Sequence, residues 1–211
     1  MRTFTQKLLG AAIGLASIAS LAAAQVNAVE FDLLPNPKFL SCLAAPGGPT
    51  PTAHVTVTRG KFNDRLTIEG NNLKPGLAFD MFTVENTNLL ASGAPDTNFV
   101  TFGMAHYQSD LRANELGHFK TTIKGVLLDD AFDVDPLAGV KPTNTFHLGF
   151  WFDNPNDANV NGCTFDVTKP TPFNGEHKAG PIAMISVPSD ANLGPLCTNP
   201  NLTTDPATCT P

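Results

Sequence analysis

The residues with most chemical potential are an Asp/Asn run, five histidines and four cysteines. Asp157-Ala158-Asn159-Val160-Asn161-Gly162 matches the first half of a calcium loop, D-x-[DN]-x-[DN]-G. In that pattern alternate side-chain oxygens converge on the ion and glycine allows the sharp turn. The second half departs from it, because Thr168 stands where a bidentate Glu is needed. An Asx-rich turn uses the same residues without an ion, since Asn and Asp bond their own backbone in such turns. Asp129, Asp130, Asp133 and Asp135 form a second acidic cluster, for which a solvated loop is the simpler expectation.

The histidines, at 54, 106, 118, 147 and 177, contain neither HxH nor HExxH. Any copper or zinc site must therefore be assembled in three dimensions, and His106, His147 and His177 are the candidates. His54 and His118 alternate with threonines and lysines and are expected to face solvent. Glu176 and His177 are adjacent, so on a strand they point to opposite faces and do not form an acid/base pair. The chain has no GxSxG elbow, P-loop or GxGxxG. No catalytic residue and no cofactor is assigned, and the expectation leans toward a protein that is not an enzyme.

What must position these residues begins with export. Residues 1–28 have the three parts of a cleavable secretory signal peptide. Arg2 and Lys7 start it, Leu8–Ala24 is apolar or small throughout, and Ala22-Ala23-Ala24 or Val26-Asn27-Ala28 offers a small-residue cleavage site. Gly10, Gly14, Ser17 and Ser20 dilute the apolar run below what a membrane span wants. The mature chain is thus expected to carry no span and to be secreted or extracellular, or periplasmic or surface-located in a bacterium. An even cysteine count fits an oxidising compartment. Cys42, Cys163, Cys197 and Cys209 allow three pairings, of which Cys42–Cys163 with Cys197–Cys209 is favoured. Without Arg2 and Lys7, 11 Lys and Arg face 19 Asp and Glu, a net charge of about −8. Such a chain lacks the cations that neutralise phosphates, so nucleic acid is excluded as a partner.

The mature part reads as one domain over residues 29–188, followed by a Cys-containing Pro/Thr/Asn-rich tail over 189–211. Short runs alternate with period two between Gly and Pro turns. Val55 and Val57 alternate with Thr56 and Thr58, and Leu66 and Ile68 with Thr67 and Glu69. Leu77–Val84 and Ile182–Val187 are apolar on both faces, as interior strands are. A further apolar run covers Phe99–His106. Phe146, Leu148, Phe150 and Phe152 share one face, with His147 and Trp151 opposite. No amphipathic helix of three turns is present. The pattern predicts an all-β fold, a two-sheet antiparallel β-sandwich of immunoglobulin-like type, with a jelly roll or barrel as the alternative. Leu66–Gly76 resembles the strand–turn–strand opening of extracellular immunoglobulin-like modules, over about a dozen residues.

The functional expectation is a secreted, non-enzymatic protein with a structural or binding role at or outside the cell surface; the sequence names no protein or glycan partner. A protein or enzyme binding calcium or copper/zinc is one alternative. A carbohydrate-binding module is another, thinly supplied because Trp151 and Tyr107 are the only Trp and Tyr.

Overall fold

A computed structural model of the chain describes residues 28–60, 63–125, 146–168 and 179–209. The expected leader (except Ala28), the Asp129–Asp135 cluster, Glu176 and His177 lie outside them. The described residues form eight principal strands: β1 (Ala28–Pro35), β2 (Thr52–Thr58), β3 (Asp64–Asn71), β4 (Ala78–Val84), β5 (Ala105–Arg112), β6 (Phe119–Gly125), β7 (His147–Phe152) and β8 (Ile182–Ser186). All pair antiparallel in one sheet of order β5-β4-β7-β8-β1-β2-β3-β6.

The sheet curls on itself. Phe119 on β6 and Phe150 on β7 are far apart in strand order, yet their rings meet edge-to-face at 5.8 Å across the interior. The end strands β5 and β6 also lie beside each other, joined by the Ala113–His118 turn, so the sheet is nearly closed into a barrel. The expected two-sheet sandwich is therefore corrected to a single curled sheet, with which the barrel alternative agrees. Period-two alternation says which face of each strand is buried, and it leaves open whether the strands split into two sheets or close into one.

Alternation nonetheless builds the interior. Val55 faces Ile68 and Val57 faces Leu66 across β2 and β3, and all four are buried. Leu148, Phe150 and Phe152 of β7 point into the same core, with Phe150 at 4.9 Å from Phe79 of β4. A 3-10 turn (Pro37–Phe39) and the one-turn helix α1 (Leu40–Leu43) add Phe39, Cys42 and Leu43 to this core. Phe39 sits edge-on to Phe152 and Phe165 at 6.3 and 6.2 Å.

Both favoured cysteine pairs are at disulfide distance. Cys42 of α1 bonds Cys163 just after α2 (Asp157–Val160), with Cα atoms 5.6 Å apart. Cys197 bonds Cys209, with Cα atoms 5.7 Å apart, and closes a tail hairpin of β9 (Pro200–Asn201) and β10 (Thr208–Cys209). No helix among the described residues is long and apolar enough to cross a membrane.

The two bridges enclose very different lengths of chain, 121 against 12 residues of separation. In the loop-entropy model the longer closure is worth about 4–5 kcal/mol and the shorter about 3. Urea unfolding of the Cys42→Ala/Cys163→Ala double variant is expected to show the greater loss of stability. A cost below that of Cys197→Ala/Cys209→Ala would contradict the account.

Candidate functional site

The site follows from an apolar surface on the outside of the sheet. Register places Phe82 and Val84 of β4 and Trp151 and His147 of β7 on one face, opposite the barrel core. Ile182 and Ile185 of β8 join them in a second buried cluster. An uncovered face of this kind is unstable in water, and the long connection Glu85–Met104 covers it. Phe99 packs on Phe102 at 4.6 Å, Phe102 on Trp151 at 5.1 Å, Trp151 on Phe82 at 5.6 Å and Phe82 on Tyr107 at 5.7 Å. Each such pair adds about 0.5–1.5 kcal/mol beyond the area it buries. The apolar run Phe99–His106 is thereby divided: strand pairing begins at Ala105, and Phe99–Met104 serves as cover.

Polar groups fix the shape of this cover. Asn86 N donates to Phe102 O at 3.0 Å, and Asp96 N donates to Asn88 O at 2.9 Å. The Asn86 amide donates to Thr101 O at 3.2 Å. Thr87 Oγ1 donates to the buried Ser186 O at 3.0 Å, stapling the connection to β8. Glu85 Oε2 accepts from Met104 N at 2.8 Å, and Asp96 Oδ1 accepts from Asn98 N at 2.8 Å. Gly103 has φ 73°, and a Cβ there would run into the Glu85 side chain. Only glycine meets both conditions without strain.

Between this connection and the sheet lies a half-open polar cavity of about 260 Å³. Glu85, Asn86, Asp96, Asn98, Phe99 and His147 give it its chemistry, with Asn192 at the edge. His147 is only 3% exposed. Its Nδ1 lies 3.0 Å from Ser186 Oγ, which also accepts from Leu148 N at 3.2 Å. Ser186 Oγ thus joins the His147 ring to the backbone of Leu148. Burial pushes the His147 pKa down from 6.5 to about 4, against an opposing backbone interaction with Ser186. At neutral pH the ring is therefore uncharged.

The other candidates are dispersed. His106 pairs with Thr83 and His147 with Val84, neighbouring residues of β4, so the two rings project to opposite faces of the sheet. Asp157 starts α2, Asn159 lies within it and Asn161 follows it. Asn159 spends its amide on both backbone groups of Phe165, at 2.7 and 3.0 Å, and on Asn156. Asn161 donates to Asp157 O at 2.9 Å. Burial raises the Asp157 carboxyl pKa, opposed by a backbone bond from Asn154 and aided by Asp153. No cluster of three metal-ligating side chains occurs among the described residues. His54 and His118 lie on the outer face, paired with Asp32 at 2.7 Å and Glu69 at 3.4 Å. Trp151 is fully buried, and Tyr107 is half exposed with its hydroxyl on Asp110 at 2.7 Å.

Sequence reading passed over Glu85, Asn86, Asp96 and Asn98 as loop residues. Their signal was present in the Asx-turn spacing of Asp96 and Asn98, next to two phenylalanines that a plain solvent loop does not need. Comparison with protein-family models, curated proteins and solved structures finds no match to this chain.

The sign of the pH effect follows from the lowered pKa. Well above pH 6.5 His147 is neutral in both folded and unfolded chains, and its contribution is complete. As pH falls from 6.5 toward 4 the unfolded chain binds a proton that the folded one refuses, so stability drops by about 3 kcal/mol in total. Urea midpoints measured across that window are expected to fall in the wild type and to fall less in His147→Gln. Parallel curves for the two proteins would remove His147 as the cause.

Proposed function

We propose that the chain is an exported, non-enzymatic protein with a binding role at or outside the cell surface, and that the cavity beneath Glu85–Met104 is its binding site. The observation that carries this reading is the preorganised polar lining. Glu85, Asn86 and Asp96 are each held by a bond to the backbone of their own connection. A ligand therefore meets them with little ordering left to do. At about 260 Å³ the cavity lies just under the range of roughly 300–1,000 Å³ that buries drug-sized ligands. It suits one ring or one side chain.

A hydrolytic role is less well supported. Ser186 is the hydroxyl bonded to an imidazole, yet it is fully buried and also holds Leu148 N, so a substrate carbonyl has no approach to it. A flat glycan platform is not favoured either, because Trp151 is buried and the half-exposed Tyr107 is not part of the cavity lining.

Ligand-observed NMR with a mixture of small sugars, polyols, amines and carboxylic acids tests the reading. Asn98→Phe fills the cavity from an exposed position. At least one compound is expected to give a saturation-transfer signal that this variant abolishes. The absence of any Asn98→Phe-sensitive signal would overturn the proposal.

A further inference from the structure

We propose that the cavity accepts a cationic nitrogen group, an ammonium or a guanidinium; this rests on its being the binding site. The lining brings together two carboxylates, Glu85 and Asp96, and no Lys or Arg among its described residues. Each carboxylate gives one oxygen to the backbone, Glu85 Oε2 to Met104 N and Asp96 Oδ1 to Asn98 N. Both groups are thus fixed in place while keeping a second oxygen that can accept from a ligand N–H. The Asn86 amide has its nitrogen engaged by Thr101 O, which leaves its oxygen as a further acceptor. Phe99, half-buried, supplies an aromatic ring to the same lining, a group that cations favour.

The rest of the lining agrees with this polarity. His147 carries no charge at neutral pH, so it does not repel a cation. An anion would face two carboxylates with nothing to neutralise it, and a neutral alcohol would use the hydrogen bonds without the charge. The volume admits one alkylammonium or guanidinium head and excludes a folded polycation. Two sources supply this chemistry: a free small amine, or a Lys or Arg side chain presented by a peptide.

Isothermal titration of the full mature chain at pH 7 and low salt distinguishes these possibilities. The probes are butylammonium, methylguanidinium, 1-butanol, butyrate, and the tripeptides Gly-Lys-Gly and Gly-Arg-Gly with blocked ends. At least one cation is expected to bind tenfold or more tightly than butanol and butyrate. Glu85→Gln and Asp96→Asn keep the acceptor oxygens that hold the backbone. They are expected to melt as the wild type does while weakening cation binding at least tenfold in the double variant. Tighter binding of a tripeptide than of its free amine or guanidinium supports the proposal with a protein side chain as the source. The reverse supports it with a small amine. Butanol or butyrate binding as well as the cations, with Asn98→Phe sensitivity, would overturn the cationic assignment and leave the binding site standing. Cation binding unchanged in the double variant would also overturn it. Loss of every Asn98→Phe-sensitive signal would instead remove the site itself.

Discussion

The structure turns on an unusual demand: three adjacent and mostly apolar strands, β4, β7 and β8, are buried on both faces. One face is absorbed by the barrel interior. The other would lie open to water, at about 25 cal/mol per Å² of apolar surface, if nothing covered it. Here no helix or second sheet among the described residues does so. A polar connection, anchored by Phe99 and Phe102 on Trp151, takes that place. Because irregular backbone carries donors and acceptors that must be satisfied, such a cover brings amides, carboxylates and hydroxyls with it. The cavity is a consequence of that mismatch between an apolar floor and a polar roof.

The opposite half of the barrel shows what happens without that demand. Outer residues of β1, β2, β3 and β6 form a row running Asp32, His54, Glu69 and Lys120, with Thr67 bonded to Thr122 at 2.9 Å beside it. This face is solvated, needs no cover and has none among the described residues. The bonds from Lys120 and His118 hold the Glu69 carboxyl below its usual range. At such exposed positions ion pairs of this kind contribute little stability. The function proposed for the chain sits on the covered half, where charge is confined against a low-dielectric floor and acts more strongly.

Much of this was legible in the residues. The period-two runs at Val55–Val57 and Leu66–Ile68 gave strands at those places, and the row Phe146, Leu148, Phe150 and Phe152 gave the inward face of β7 with His147 and Trp151 outside. The cysteine pairing was also readable, because an even count with one close pair leaves one distant pair. Closure was not readable, since alternation is blind to strand order and curl. Nor was the cavity, whose residues come from a connection, the start of β7 and the turn at Asn192. Leu77–Val84 did announce a strand buried on both faces. What it did not announce was that a connection, rather than another sheet, would bury its second face.

The central claim is that Glu85–Met104 is a fixed wall and not a solvent loop. Native-state hydrogen exchange measures this directly at the amides of Asn86, Asp96 and Met104, which bond to Phe102 O, Asn88 O and Glu85 Oε2. The account predicts protection at these three positions approaching that of β4 and β7. Exchange at the rate of an unstructured chain, with β4 and β7 still protected, would contradict it.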